Sequence, residues 1–318
     1  MVEFGYKLSS EEHGPNELVS HARRAEAVGF SFAAISDHFH PWIDAQGHSP
    51  FVWTVLGGIA QVTSRLEILT GVTCPTVRLH PAIVAQAAST AALMFPDRFT
   101  LGVGSGENLN EHILGDRWPE VGVRLEMLKE AVEVIRLLWQ GGLKSHHGRH
   151  YTVENARLYD LPHKPPPIAV AGSGESSVRL AARIGDGFVG LAPAEGLLEM
   201  FDAAGGAGRP RYAEATVCWA ADENGARRTV HERWPIGGIK GQLSQELPNP
   251  SHFKQAAQML DEDQTAATVA CGPDPEVHIN NARKFIEAGY DHIWFHQIGP
   301  DQDGFFVFYE QEVLPKLV

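Results

Sequence analysis

The sequence predicts a single (β/α)8 barrel, or TIM barrel, an α/β fold in which eight parallel strands alternate with helices. Short apolar runs rich in β-branched and aromatic residues alternate with longer segments of helical period, the pattern of repeated βα units. Eight such runs are present, and 318 residues can hold one barrel with insertions. The predicted strands occupy residues 4–8, 32–36, 66–72, 99–104, 167–171, 187–191, 215–220 and 292–296.

The clearest predicted helix covers residues 119–139. Its apolar residues recur at helical spacing from Leu125 to Leu138, Pro119 suits a first turn, and two glycines follow at 141 and 142. Two stretches break the βα alternation: an irregular or hairpin excursion at 146–159, within about 143–162, and a proline-containing insertion at 234–269. We expect these insertions at the carboxyl-terminal mouth of one domain spanning residues 1–318.

Composition restricts the classes of partner. The chain is 43% hydrophobic and 20% charged, with a net charge of −13, which disfavours nucleic-acid and anionic-membrane surfaces and favours a small-molecule substrate. No apolar run approaches the length of a membrane span, and the first residues, MVEFGYKLS, lack the features of a signal peptide. Three widely spaced cysteines without a CxxC pair suggest neither disulfides nor a zinc knuckle. We therefore expect a cytoplasmic location.

Polar residues collect where the predicted strands end. In a (β/α)8 barrel these ends share one face, so their convergence predicts an active site there. The residues concerned are Lys7, Ser9 and Glu11; Ser36, Asp37, His38, Phe39, His40, Pro41 and Trp42; Gly71, Val72, Thr73, Cys74 and Pro75; Gly104, Ser105, Gly106, Glu107, Asn108 and Asn110; Gly172, Ser173 and Gly174; and His296 and Gln297.

His38 is the candidate general base. A histidine beside a carboxylate such as Asp37 can take up a proton near neutral pH, because its ordinary pKa is about 6.5 and an anion raises it. Alternatively, Asp37 caps the following turn while His38 and His40 satisfy polar ends of the core. The His38-Phe-His40 spacing also allows a zinc hydrolase, although the last predicted strand lacks the carboxylate expected there.

Two glycine-containing turns are candidate ligand sites. The turn from Gly104 to Glu107 would let a ligand approach the backbone, with Glu107 as a proton donor or acceptor or, alternatively, paired with a nearby cation. It lacks the spacing of a dinucleotide fingerprint. The run Ala171 to Gly174 before a helix could hold a phosphate, or could be an ordinary loop. Trp42, Phe39, Trp53 and Trp219 could cover a flat ring.

At these residues the sequence resembles the luciferase-like hydride transferases, and in particular the group of deazaflavin-dependent glucose-6-phosphate dehydrogenases. The resemblance spans nearly the whole chain. Its most specific segments are SDHFHPW at 36–42, GVTCPT at 71–76, FPDRFTLGVGSGENLNEHI at 95–113 and HQIGPDQDGFF at 296–306. It implies a bacterial-luciferase-like barrel that binds coenzyme F420, with FMN as the alternative cofactor, and a homodimer.

The resemblance also assigns roles to residues. It implies that His38 is catalytic, that Trp42 stabilises a developing charge, and that Glu11 and Glu107 lie near the reacting groups. A bulge at Gly71 and Val72 with a non-prolyl cis peptide would back the cofactor ring. The residues implied to hold the cofactor are Asp37, Gly71, Val72, Thr73, Cys74, Gly106, Asn110, Ala171, Gly172, Ser173 and Gly174.

One departure bears on the substrate. Where the sugar-phosphate dehydrogenases carry lysine, histidine and arginine, this chain has Ala194, Ser244, Gln245 and Thr268. A phosphate there would lose several charge-assisted hydrogen bonds of roughly 1.5 to 3 kcal/mol each. The sequence therefore predicts an F420-dependent oxidoreductase acting on an unphosphorylated alcohol, carbonyl or enone. The alternatives are a sugar-6-phosphate dehydrogenase, an FMN-dependent monooxygenase and a cofactor carrier without a substrate site.

Overall fold

The computed structural model describes residues 2–239 and 241–317, and its main feature is a closed parallel β-barrel. Eight of the nine strands in the main sheet form the barrel, because β8 pairs with β9 and so joins the two ends. The barrel order is β1-β2-β3-β4-β7-β8-β9-β11, with β11 pairing back to β1. The strands are β1 Glu3–Leu8, β2 Phe32–Ile35, β3 Glu67–Thr70, β4 Phe99–Val103, β5 Lys144–His147, β6 Thr152–Ala156, β7 Ile168–Ala171, β8 Gly187–Gly190, β9 Arg211–Cys218, β10 Ala270–Cys271 and β11 His292–Gln297.

Helices surround the barrel. Alternate side chains of each strand point outward and pack on the helices in one large hydrophobic core, whereas the others fill the barrel interior. Phe32, Leu69, Tyr212 and Trp294 belong to this interior layer. The α-helices are α1 Pro15–Val28, α2 Val52–Val62, α3 Pro81–Met94, α4 Asn108–Glu111, α5 Val121–Trp139, α6 Glu175–Ile184, α7 Glu195–Phe201, α8 Glu223–Arg233, α9 Leu243–Glu246, α10 Pro250–Ala257, α11 Glu262–Ala266, α12 Pro275–Glu287, α13 Gln302–Phe308 and α14 Leu314–Leu317.

The predicted barrel is confirmed, and the differences lie at element boundaries. Each of the eight predicted runs overlaps a barrel strand, but β9 begins at Arg211, four residues before the predicted start. The first excursion is the antiparallel hairpin β5–β6. The short strand β10, which pairs with the carboxyl-terminal end of β9, was not predicted. Among the described residues, no helix is both long enough and apolar enough to cross a membrane.

The second insertion packs over the carboxyl-terminal end of the barrel. It contains helices α9, α10 and α11 and a short 3-10 turn, Pro235–Gly238. Ile236 and Phe253 from this insertion form a separate hydrophobic cluster with Ile43, which follows β2, and Leu109, which follows β4. We call this set, with its rim of Trp42, Trp234, Ile239 and Leu247, the cap cluster. It holds the insertion against two of the loops that carry predicted site residues.

Candidate active site

The loops after β1, β2, β3 and β4 bring most of the predicted site residues to one end of the barrel. His38 follows β2 and Glu107 follows β4, with β3 between these strands. Asn110 connects the two loops, because its Oδ1 accepts hydrogen bonds from Phe39 N at 2.9 Å and His40 N at 3.2 Å. The predicted base and the predicted carboxylate therefore lie at the same face of the barrel.

The Glu11 carboxylate lies beside the His38 imidazole. Glu11 Oε1 lies 3.4 Å from His38 Nε2, and its Oε2 accepts hydrogen bonds from Ser36 Oγ at 2.6 Å and Ser9 Oγ at 3.2 Å. Burial opposes the charged form, yet His38, Lys7 and the Ser36 hydroxyl together hold the pKa of Glu11 below its ordinary value. Glu11 is therefore an anion fixed beside the histidine.

The carboxylate beside His38 is therefore Glu11 and not Asp37. Asp37 Oδ1 pairs with Arg78 Nη2 at 2.9 Å, and its Oδ2 accepts a hydrogen bond from Thr73 Oγ1 at 2.8 Å. Arg78 also binds Glu111, through its backbone N–H at 2.7 Å and its Nε at 3.6 Å. Burial raises the pKa of Glu111 to about 7, although Arg78 opposes this shift. Asp37 thus ties the loop after β2 to the loop after β3.

His38 is oriented by its other ring nitrogen. Nδ1 lies 3.2 Å from the His40 carbonyl oxygen, which only accepts hydrogen bonds, so Nδ1 carries a proton and Nε2 is the atom left to exchange one. His40 Nδ1 is bound to the Leu109 carbonyl at 2.8 Å. Within the described residues, no group of three or more His, Cys, Asp or Glu side chains could hold a metal ion.

Trp42 packs directly against His38. The two ring centroids are 5.0 Å apart, and Trp42 also contacts Phe253, at 5.2 Å in an edge-to-face arrangement. An indole ring this close to an imidazole can stabilise its charged form. Trp42 is therefore an aromatic neighbour of the predicted base.

The segment after β3 contains an unusual peptide bond. The Gly71–Val72 peptide bond is cis, as the resemblance implied. Lys7 Nζ donates a hydrogen bond of 3.0 Å to the Gly71 carbonyl oxygen and pairs with Glu214 at 3.1 Å. The backbone of Thr73 pairs with β4 beside Val103. This segment is therefore held by a side chain of β1 and by the backbone of β4.

The glycine turn after β4 packs on the segment after β3. Gly106 has a φ of +80°, and a Cβ added there would lie 2.5 Å from Cys74 Sγ. A Cβ at Gly104 would lie 2.8 Å from Val72 Cγ2. The glycines are therefore needed for the close approach of two loops, a reason that the sequence alone did not suggest. Burial raises the pKa of the Cys74 thiol well above its ordinary value, so Cys74 is a neutral packing group.

Glu107 is the N-cap residue of the short helix α4 and is half-buried. No cation lies within ion-pair distance of its carboxylate among residues 2–239 and 241–317, which disfavours the alternative of a structural ion pair. Asn110 Nδ2 in the same helix is buried and has no hydrogen-bond partner in the described structure. The Asn110 amide and the Glu107 carboxylate are therefore available to a ligand near the start of α4.

The predicted phosphate loop follows β7. Gly174 precedes helix α6, and the Ser173 and Gly174 N–H groups both donate to Ser177 Oγ, at 3.2 and 3.1 Å. Gly172 packs against the backbone of Ser177. The loop is exposed and lies next to Ala171 at the end of β7. Its free helix N-terminus fits an anion, but Ser177 already satisfies two of the expected donors.

Sequence reasoning missed a second buried charge network inside the barrel. His296 Nε2 lies 3.4 Å from Glu12 Oε2, and its Nδ1 lies 3.4 Å from Glu214 Oε1. Burial disfavours the charged imidazole, but hydrogen bonds and charge from Glu12 and Glu214 raise the pKa of His296 to about 9. Lys7 extends the network to the Gly71 carbonyl. Glu214 could have been found from its place in β9, two residues from the inward-facing Tyr212.

The four positions expected to lack phosphate-binding cations lie at the insertion and the loop after β8. Gln245 is not free: its Oε1 accepts a hydrogen bond of 3.1 Å from Arg124 Nη2, a buried guanidinium that also pairs with Glu246. Ser244 lies next to Gln245 in α9, whereas Thr268 is exposed and Ala194 is half-buried. A buried guanidinium without partners is unfavourable, so Gln245 and Glu246 serve as the internal partners of Arg124.

These residues fit a flat heteroaromatic cofactor. The unpartnered Asn110 amide and the Glu107 carboxylate lie in the segment after β4, whose glycines pack on Val72 and Cys74 of the segment after β3. Trp42 adds an aromatic wall beside His38.

Comparison with known proteins defines the class. The family model described as luciferase-like monooxygenase matches residues 2–292, and the chain belongs to that family. It is 36% identical over 328 residues to the F420-dependent glucose-6-phosphate dehydrogenase of Microbacterium testaceum (strain StLB037), covering 99% of this chain and 97% of that protein. It is 37% identical to the enzyme of the same name from Nakamurella multipartita, covering 99% and 96%.

Solved structures agree with the fold. An F420-dependent secondary alcohol dehydrogenase in complex with an F420-acetone adduct superposes with a TM-score of 0.93 at 28% identity, covering 100% of this chain and 99% of that one. The coenzyme F420-dependent tetrahydromethanopterin reductase from Methanopyrus kandleri shares the fold alone, with a TM-score of 0.76 at 21% identity, covering 100% and 99%.

Proposed function

We propose that this protein is a coenzyme F420-dependent oxidoreductase that transfers a hydride between the CH–OH group of an unphosphorylated alcohol, or the corresponding carbonyl or enone, and the deazaflavin. The observation that carries the proposal is the buried Glu11–His38 pair with Trp42 packed on the imidazole. Relatives at 36% and 37% identity are named for F420-dependent dehydrogenation of a sugar phosphate, and a similar structure is named for a secondary alcohol.

The His38 imidazole would act as the general base in alcohol oxidation. Its Nε2 would take the hydroxyl proton, because Nδ1 is bound to the His40 carbonyl. Glu11, 3.4 Å away, would stabilise the imidazolium that results, and Trp42 would add its aromatic face. In carbonyl reduction the same atoms would return the proton.

Coenzyme F420, when bound, supplies the carbon that accepts or donates the hydride. The residues that would hold it are Asp37, Gly71, Val72, Thr73, Cys74, Gly106, Asn110, Ala171, Gly172, Ser173 and Gly174. Asp37 and Cys74 would do so by fixing the loops, since both are buried among protein partners. Glu107 would hold or release a proton beside the ring.

The assignment of an unphosphorylated substrate rests on α9 and its neighbours. Gln245 is bound to Arg124, and Ser244, Ala194 and Thr268 bear no charge. A phosphate dianion there would lack the charge-assisted partners that usually bind it.

Cofactor titration followed by turnover tests the proposal. The purified chain is titrated with F420 and, separately, with FMN, using cofactor fluorescence, and we expect much tighter binding of F420. The loaded protein is then mixed in a stopped-flow instrument with simple secondary alcohols and with glucose 6-phosphate. Faster loss of oxidised F420 with glucose 6-phosphate would overturn the substrate class, and preference for FMN would overturn the cofactor.

The His38→Ala variant tests the base. We expect it to lose most of the hydride-transfer rate while its dissociation constant for F420 stays close to that of the wild-type protein. Transfer at the wild-type rate would refute the assignment of His38.

We also propose that the protein is a homodimer. Helices α2 and α3 contain no charged residue, and Phe51 and Ile83 are each more than half exposed beside the groove between them. Two chains of net charge −13 repel one another, so an uncharged apolar face is the surface on which a second copy could dock. Light scattering should give twice the monomer mass, and Ile83→Asp should give a monomer.

A further inference from the structure

We infer that Phe253 is a positioning residue: it fixes the Trp42 indole against His38, so that the cap insertion sets the geometry of the reacting groups. The inference rests on the proposed function in taking His38 and Trp42 as reacting-site residues. Trp42 contacts two rings, with its centroid 5.0 Å from that of His38 and 5.2 Å from that of Phe253. Each neighbour comes from a different part of the chain.

Among residues 2–239 and 241–317, packing rather than a side-chain hydrogen bond holds the indole. The hydrogen bond described for Trp42 runs from its backbone N–H to Gln46 Oε1 at 2.8 Å, and this fixes the main chain without selecting a side-chain rotamer. Trp42 is half-buried, so protein contacts do not enclose its side chain completely. The edge-to-face contact with Phe253 therefore limits how far the indole can turn from His38.

Phe253 is itself firmly placed. Its side chain is fully buried in helix α10, which starts with Pro250 and is capped by Asn249 Oδ1 accepting from His252 N at 3.2 Å. In the cap cluster it lies with Leu109 of α4, next to the amide that holds the His38 loop. A side chain fixed on this many sides is a suitable reference surface for Trp42.

Truncation of Phe253 should therefore act through Trp42. Phe253→Ala leaves a cavity beside the indole, which then samples rotamers that leave His38. Because misplacement of a catalytic group by about 1 Å can cost roughly 100-fold in rate, a partial loss of position should lower kcat about tenfold. Affinity for F420 should change less than about twofold, since Phe253 lies outside the loops assigned to the cofactor.

Fluorine NMR of protein labelled with 5-fluorotryptophan gives a direct readout of position. The chain has seven tryptophans, and the Trp42 signal is the one missing from a Trp42→Phe sample. We expect Phe253→Ala to shift or broaden that signal, and Phe253→Leu, which refills most of the volume, to restore most of the signal and of kcat. Met259→Ala truncates an exposed side chain in the same insertion, outside the cap cluster, and is the matched control that should leave both unchanged.

A double variant separates positioning from general destabilisation. If Phe253 acts through Trp42, then Phe253→Ala should lower kcat no further in a Trp42→Ala background. An additional tenfold fall in that background, or an unchanged Trp42 signal in both Phe253 variants, would overturn the inference. If the wild-type protein shows no F420-dependent turnover, the proposed function fails, and the fluorine signal still decides whether Phe253 positions the indole.

Discussion

Replacing Glu11 by glutamine removes the charge beside His38 while keeping the shape of the side chain. At 3.4 Å and an effective dielectric constant of about 20, the attraction between Glu11 and a fully charged His38 is about 5 kcal/mol. The amide oxygen keeps one acceptor for Ser36, and the histidine carries only part of its charge in the transition state. We therefore expect Glu11→Gln to lose about 3 kcal/mol of transition-state stabilisation.

This loss corresponds to a fall of roughly 100-fold in kcat/KM, mostly in kcat. The assay is stopped-flow loss of oxidised F420 absorbance with a secondary alcohol, at saturating and at low alcohol concentration. Glu133→Gln is the matched control, since Glu133 forms an exposed ion pair on α5 and should not affect the rate. A Glu11→Gln protein within about threefold of the wild-type rate would refute the charge-stabilising role.

Three further predictions concern stability and the cap. A Cβ at Gly106 would meet Cys74 Sγ at 2.5 Å, whereas Gly115 has a similar positive φ and open space around it. Thermal unfolding should therefore show Gly106→Ala as less stable than Gly115→Ala by about 1 to 3 kcal/mol. Equal losses of stability in the two variants would exclude the clash. The raised pKa of His296, about 9, stabilises the fold fully below its unfolded value of about 6.5. Urea unfolding should therefore show stability falling by up to about 3 kcal/mol from pH 6.5 to 9, a slope that His296→Gln flattens; a parallel slope in the variant would contradict this. Arg124→Met removes the partner of Gln245 and should speed glutamyl endopeptidase cleavage in α9 about tenfold, whereas unchanged cleavage would show that other contacts hold this helix.

Sequence reasoning located the barrel because βα periodicity is a local signal. The start of β9 was misplaced because Arg211 and Glu214 are charged, and charges are atypical of barrel strands. Glu214 is nevertheless accommodated inside the barrel by Lys7, Trp294 and His296. Such compensation depends on partners up to 207 residues away in the chain, from Lys7 to Glu214, and no window of sequence contains it.

The candidate site was predicted as a set of residues but not as a set of contacts. The chain indicated that His38 needed a neighbouring carboxylate, and the adjacent Asp37 was the natural choice; the fold turns Asp37 toward Arg78 and brings Glu11 instead. Phe253 lies in a proline-containing insertion whose path cannot be predicted from a local sequence pattern. Its contact with Trp42 exists only because the cap cluster closes across the loops after β2 and β4.

The side-chain oxygen of Asn110 couples two loops of the site. By holding the backbone of Phe39 and His40, it fastens the loop after β2 to helix α4, which Glu107 caps, across the intervening strand β3. A displacement of one loop is therefore transmitted to the other, and the spacing between imidazole and carboxylate is preserved while both move. A change in either loop would therefore move the His38 imidazole and the Glu107 carboxylate together.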